Sequence, residues 1–427
     1  MRVRRLIGWP DPKALAVSCL IGAFLLAYCF LLLLPVFASA TPRADDFQDY
    51  LWAARQLAIG GDPYGDFVRT HVPWDWSLSS GYLYPPVFAA ILIPLTWLPN
   101  DLAVRIWILV VQAAVVGSVL IIYRQIGQPR RAEVLALVAV LATFFPLINT
   151  IWTGAMNALL LLLLTAAFAA WRRHRDSIGG FAIGLAALFK VFPVALLPYF
   201  AWRRDWRLVV ASLVTGTAGL LACLAVTGLA HNIFYFTQLL PHLAAGSGYR
   251  ENQSLAGLAA RLCDPSTADH GGGAGWCGRL VDWPAMGAVL ATVVYAVRRG
   301  TRSPMEYGLA LAALPLISSV TWSFHLVILI FPMVLLIRTV FEGTASRTQV
   351  RRLLAAWICF SAGPAAHYAL IFAPFPHLAG VLNLIPVTVT WLAAQAYLIG
   401  TGLVFACALI AVRGEDRAGS LPRRLAA

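Results

Sequence analysis

The sequence predicts an all-α integral membrane protein, a single polytopic bundle spanning residues 1–427. Three observations carry this. The chain is 60% hydrophobic and 12% charged, where soluble domains carry about 25% charged residues, and its mean hydropathy is +0.76. Its apolar runs reach the ~20 residues needed to span a bilayer. Its basic residues fall in short knots between those runs: Arg2-Val-Arg4-Arg5, Arg130-Arg131, Arg172 to Arg175, Arg203-Arg204, Arg298-Arg299, Arg351-Arg352 and Arg423-Arg424. The net charge of +13 therefore reports topology under the positive-inside rule and implies no nucleic-acid partner.

The first apolar run, Ala14 to Ala38, follows Arg2, Arg4, Arg5 and Lys13. It is too long for a signal-peptide core and predicts an uncleaved first span with a cytoplasmic N-terminus. The loop over residues 41–83 then lies outside. Further apolar segments cover 84–98, 101–123, 131–149, 155–171, 178–200, 207–230, 283–297, 305–320, 324–340, 353–373 and 383–412. The 84–98 segment is short and opens with Pro85-Pro86, and the 178–200 segment lies between two basic knots. Reading both as re-entrant or broken leaves ten full crossings, keeps every knot in the cytoplasm and puts both termini inside a cell membrane. The cytoplasmic connections are short and basic, with no chemistry expected. The outer face collects the 41–83 loop, the Thr153 to Asn157 turn, a second large loop over 231–282, the Ser318 to His325 turn and the Pro374 to His377 segment.

Cys19, Cys29, Cys223, Cys359 and Cys407 fall in apolar stretches and read as small hydrophobes. Cys263 and Cys277 share the 231–282 loop and can pair if that loop is extracytoplasmic. No CxxC metal spacing occurs in the chain, and neither a metal site nor a cofactor is expected.

The 41–83 loop holds the densest acid: Asp45, Asp46 and Asp49 within five residues. Singly, each fits the first turn of an interfacial helix, where a carboxylate complements the dipole; Phe47, Tyr50, Leu51 and Ala54 would form its apolar face. As a trio they fit a catalytic carboxylate. Lys190, one of two lysines in the chain, sits in an apolar segment broken by Pro193. A lysine at membrane depth costs at least ~2.5 kcal/mol, so it either snorkels to the interface or holds a lipid phosphate. His325, with Trp322 three residues earlier, is either a hydrogen-bonded interface residue or part of a sugar-phosphate pocket. Asn157, Asn252 and Gln253 taken alone read as capping or turn residues. Tyr82 and Tyr84 fit an interfacial aromatic belt as well as a sugar platform.

In order, Asp46-Phe-Gln-Asp49-Tyr50, Gly61-Asp62-Pro63-Tyr64, Tyr84-Pro85-Pro86, Gly154…Asn157, Lys190…Pro193, Asn252-Gln253-Ser254-Leu255 and Trp322…His325 resemble glycosyltransferase family 87, the polyprenol-phosphate-mannose-dependent α-mannosyltransferases. The resemblance runs from about Asp46 to Pro332. It implies a GT-C architecture and a lipid-linked donor such as polyprenyl-phosphate-mannose. It further implies a catalytic aspartate at Asp46, with Asp45 as the fallback, and a donor-phosphate site at Lys190 and His325. Acceptor or sugar contacts are expected from Asp49, Tyr64, Tyr84, Asn157, Asn252, Gln253 and Trp322. Two positions depart from the family pattern: Ala155 replaces the usual glutamine, and Phe324 precedes His325 where a second histidine is usual.

The chemistry follows from the leaving group. A polyprenyl phosphate departs as an anion, so one carboxylate to deprotonate the acceptor hydroxyl and cations to hold the phosphate suffice. Direct displacement inverts the anomeric carbon, turning a β-linked donor into an α-linked product. Membrane lipids, the donor and a lipid or glycan acceptor are the expected partners. A flippase for lipid-linked glycans and a non-catalytic envelope-assembly subunit are the alternatives.

Overall fold

The computed structural model describes residues 12–39, 44–70, 81–273, 275–297, 300–372 and 393–420, and among these it is helical without strands. Arg2 to Arg5, Arg43, Arg298-Arg299, Arg423-Arg424 and the Pro374 to His377 segment lie outside the described residues.

The principal helices are α1 (Leu15–Ala38), α2 (Asp45–Ala58), α3 (Pro86–Leu92), α4 (Asn100–Ile126), α5 (Arg131–Thr143), α6 (Phe145–Thr153), α7 (Asn157–Arg172), α8 (Asp176–Phe189), α9 (Trp206–Thr227), α10 (Leu255–Cys263), α11 (Gly275–Ala296), α12 (Pro304–Ile317), α13 (Ser323–Glu342), α14 (Arg347–Phe372) and α15 (Ala396–Ser420). Among the described residues, six helices are long and apolar enough to cross a membrane: α1, α4, α9, α11, α13 and the Ala396–Glu415 part of α15. A seventh span arises if α5 and α6, bent by 53° at Phe144, are counted together. This is a multi-pass membrane protein. Two segments expected as full crossings, 155–171 and 305–320, form helices of 16 and 14 residues, short of the ~20 that span a bilayer. The two segments expected to be broken are broken. Residues 84–98 form α3 and a single 3-10 turn to Trp97. The 178–200 segment ends α8 at Phe189, passes through an extended Lys190 and resumes as a 3-10 turn at Phe192.

Close packing of α8 on α9 sets the position of Lys190. A Cβ on Gly180 would stand 2.4 Å from the Leu208 carbonyl oxygen, and one on Gly184 would stand 2.6 Å from that of Ser212. Gly180 and Gly184 form a GxxxG pair, which lets membrane helices approach backbone to backbone, and the Ser212 hydroxyl donates to the Gly180 carbonyl at 3.0 Å. Behind the site, α12 is buried from Met305 to Leu316.

At the opposite end of the bundle the structure corrects one expectation. Arg203, read as topological charge, is sealed inside with Glu306 at 2.8 Å, their side chains 1% and 3% exposed. Asp205 accepts from the Trp171 indole at 3.0 Å, and Arg302 pairs with Asp176 at 2.6 Å. This end therefore holds a buried ion-pair network. Cationic side chains that leave water need carboxylate partners, and these come from residues up to 126 positions away.

Cys263 and Cys277 are joined as a disulfide with their Cα atoms 5.8 Å apart, tying α10 to α11. Cys407 is buried as expected, whereas Cys19 and Cys29 are exposed on α1, the helix whose spanning window is 6% buried in the bundle.

Candidate active site

The sequence dictates α2 through its amphipathicity. Phe47, Tyr50, Leu51, Ala53, Ala54 and Leu57 are buried along one face, and each large side chain contributes about 1.5–3 kcal/mol of burial. Phe47 stacks on Trp107 of α4 at 4.9 Å. The helix lies tight against the turn at Gly154, where a Cβ would meet the Phe47 Cβ at 2.8 Å and the Ala44 Cβ at 3.0 Å. Gly154 also has φ of +68°, a conformation glycine adopts without penalty, and its carbonyl accepts from the Trp107 indole at 2.6 Å. The glycine the sequence singled out is thus the seat of α2.

That seat orients the acids differently. Asp45 is exposed. Asp46 is half-buried, and its Oδ2 is sealed from solvent without a hydrogen-bond partner. Burial first, then the Asp49 charge, push the Asp46 carboxyl up to about 7, with the Lys190 ammonium opposing the shift. Asp49 accepts from the Gly81 amide at 3.0 Å, which fixes the chain leading into Tyr82 and Tyr84. Burial raises its carboxyl too, and the Gly81 hydrogen bond opposes this.

Lys190 and His325 come together, with Lys190 Nζ 2.5 Å from His325 Nε2. The Trp322 amide faces His325 Nδ1 at 3.2 Å and holds the ring. Lys190 also lies 5.4 Å from the centre of the Tyr84 ring. These three residues and Trp322 line a cavity of about 400 Å³. Its polar end adds Ser318 and Ser319; the remainder is apolar, including Leu243, Met286 and Leu314. Asp46 does not line this cavity. It lies within electrostatic reach of Lys190 and Tyr84, and Tyr50, on the same helix, donates its hydroxyl hydrogen to Tyr84 at 3.2 Å.

Other predicted residues are placed as supports. Tyr64 is buried and donates to the Tyr84 carbonyl at 3.0 Å. Tyr82 is buried between the Pro85 carbonyl and the Ala89 amide. Asn252 is fully enclosed, its side chain bonded to Ser247, Ser319, Ser254 and Thr321 backbone groups. Gln253 likewise spans Arg250, Ala394 and Leu398. Asn157 is buried with its amide nitrogen unpartnered. Tyr235 was missed as a lining residue; nothing in its local sequence distinguishes it from an interfacial aromatic.

An apolar cavity with two basic nitrogens at one end suits an anionic headgroup on a hydrocarbon tail. The sequence model of glycosyltransferase family 87 matches residues 82–319. The chain belongs to this family. It is therefore a membrane glycosyltransferase. The match begins after Asp46 and ends before His325. The GT87 chain is 27% identical to a polyprenol-phosphate-mannose-dependent alpha-(1-2)-phosphatidylinositol pentamannoside mannosyltransferase of Mycolicibacterium smegmatis, over 87% of this chain and 85% of the relative. It is 28% identical to a polyprenol-phosphate-mannose-dependent alpha-(1-2)-phosphatidylinositol mannoside mannosyltransferase of Mycobacterium tuberculosis, over 67% and 68%. An alpha-(1->3)-arabinofuranosyltransferase of Mycobacterium tuberculosis is 29% identical over 50% of this chain and 48% of its own. No solved structure matches the chain.

Proposed function

We propose that this GT87 enzyme transfers mannose from a polyprenyl-phosphate donor to a lipid or glycan acceptor on the extracytoplasmic face, with inversion. Asp46 is the general base. Its carboxylate takes the proton of the acceptor hydroxyl as that oxygen bonds to the anomeric carbon. The bond from that carbon to the phosphate oxygen breaks, and the electron pair leaves with the polyprenyl phosphate, held by Lys190 and His325. Tyr84 and Trp322 face the sugar.

The observation that supports this is a buried, unpartnered Asp46 oxygen within electrostatic reach of Lys190, which with His325 lines an apolar cavity. A base is most effective when its pKa lies near the working pH, and Asp46 is raised to about 7. Asp45, being exposed, is the weaker choice. The donor class is supported by the relatives dependent on polyprenol-phosphate-mannose. Lys190 and His325 offer N–H groups to the leaving phosphate, and the proposed mechanism calls on neither a metal nor a cofactor.

The test is radiolabelled sugar transfer in membranes carrying the full chain, with polyprenyl-phosphate-mannose and its arabinose counterpart as donors. Transfer of mannose that disappears in Asp46→Asn supports the reading. Transfer retained in Asp46→Asn rejects the base, and movement of donor lipid across the bilayer without transfer rejects the reaction.

A further inference from the structure

A second cavity, of about 330 Å³, lies in the 231–282 region and is lined by Arg250, Arg261, Pro265, Ala268, Asp269 and Gln395. Arg261 is 5% exposed. Its Nη1 donates to the carbonyls of Gly248, Tyr249 and Asn252 and its Nη2 to the Gln395 side chain at 2.6 Å. Its Nε has no partner, and among the described residues no carboxylate pairs with it. A buried guanidinium held by neutral oxygens keeps its full positive charge, an arrangement that favours an anion.

Arg250 supplies a second guanidinium. It pairs with Asp269 at 2.5 Å, but the Asp269 side chain is 64% exposed, so that pair is weak and readily exchanged. Glu251, next in the chain, is held toward its neutral form by burial, against the pull of Arg250. The walls are tied to one another. The Cys263–Cys277 disulfide closes α10, and the Arg250 amide bonds to the Ala268 carbonyl at 3.1 Å. Two guanidiniums lining one cavity favour an anion, and phosphate oxygens are acceptors that arginine pairs with well.

We infer that this cavity is a phosphate site, distinct from the donor cavity, which Arg250 and Arg261 close upon the phosphodiester of a lipid headgroup or a free phosphate. It is also mechanically joined to the donor cavity. Asn252, whose carbonyl accepts from Arg261, bonds through its side chain to Ser319 and Thr321, beside the lining residues Val320 and Trp322. If the transferase reading holds, a phosphate-bearing acceptor is thereby seated next to the reacting sugar.

The experiment uses full-length protein carrying Lys190→Met and His325→Ala, which removes both donor-phosphate groups, so the outcome does not depend on whether sugar transfer occurs. Native mass spectrometry from nanodiscs mixing phosphatidylinositol with phosphatidylcholine reads lipid retention, and inorganic phosphate is titrated as competitor. The expected result is preferential retention of phosphatidylinositol, lowered about tenfold by Arg250→Gln, the loss of one charge-assisted contact, and abolished by Ala268→Glu. Ala268→Glu places a carboxylate in the cavity while leaving every hydrogen bond of Arg261 intact, so it decides the matter if Arg250→Gln misfolds; an intact Cys263–Cys277 bond reports the fold. Displacement by inorganic phosphate means that free phosphate suffices, and retention without displacement assigns the lipid headgroup; both uphold the site. Equal retention of phosphatidylinositol by the parent and Ala268→Glu proteins overturns it.

Discussion

Lys190 Nζ and His325 Nε2 stand 2.5 Å apart although 135 positions separate them in the chain. Both nitrogens are basic, and an entering phosphate would give each of them an acceptor. Lys190→Met and His325→Ala are each expected to lower kcat/KM for the lipid-linked donor by roughly 10²–10³, the usual loss when one group stabilising developing charge is removed. Because the two act on one anion, the double variant should lose less than the product of the single effects. Steady-state transfer at varied donor concentration checks this; full additivity would mean that they act separately.

Asp46 must be deprotonated to accept the hydroxyl proton. With its carboxyl raised to about 7, transfer should fall about tenfold per pH unit below that value. Lys190 opposes the rise, so in Lys190→Met the residual activity should show its acidic limb moved to higher pH. A profile unchanged between the two proteins would separate Asp46 from Lys190.

The same shift predicts a gain in stability. A carboxyl whose folded pKa lies above its unfolded value binds more protons folded than unfolded, so stability falls as pH rises from about 4 to 7. Asp46→Asn removes that cost. At pH 7.5 it should raise Tm by a few degrees, about 1 kcal/mol or more, while activity falls by about 10²–10⁴. A lower Tm would contradict the strained placement of this acid.

Gly154→Ala tests the seat of α2. The new methyl meets the Phe47 Cβ at 2.8 Å, and φ of +68° disfavours any side chain, so about 1–3 kcal/mol of destabilisation and a loss of transfer are expected. Gly343→Ala is the control, with φ of +76° and nothing within 4 Å; it should lose a similar backbone term and keep its activity. Equal activity in the two variants would uncouple α2 placement from catalysis.

Breaking the buried Arg203–Glu306 pair by Glu306→Gln should cost up to about 3–5 kcal/mol, because the sealed guanidinium loses the carboxylate at 2.8 Å and keeps Asp205 at 3.4 Å. Replacing both partners by apolar residues of similar volume should restore most of it. Thermal unfolding of the parent and the two variants in detergent distinguishes a needed pair from a tolerated one.

Legibility followed the range of the physics. The amphipathic pattern from Phe47 to Leu57 is local, so α2 and its buried face were readable. The broken segment at Lys190 was readable from its proline and the charge rule. Lys190 was readable as costly in an apolar setting, whereas its match with His325 at one donor-phosphate site came from the resemblance to the family. The roles of Asn252 and Gln253 were not readable, since a side-chain amide bonded to four backbone groups looks, in sequence, like one that faces a sugar. Arg203 misled for the same reason: its partner Glu306 lies 103 positions away, and only the packing of α12 brings it near. The segments 155–171 and 305–320 were read as full crossings from their hydropathy, but polar residues close them, Arg173 to Arg175 after α7 and Ser318-Ser319 after α12, and the helices keep 16 and 14 residues.

The seam of hydrogen-only side chains at Gly180 and Gly184 works as a depth gauge. It fixes how far α8 can slide along α9, and the sliding end of α8 carries the ammonium. Engineering that recuts the cavity walls must therefore leave these two positions bare, since one methyl there would push α8 off the α9 backbone and carry Lys190 away from His325.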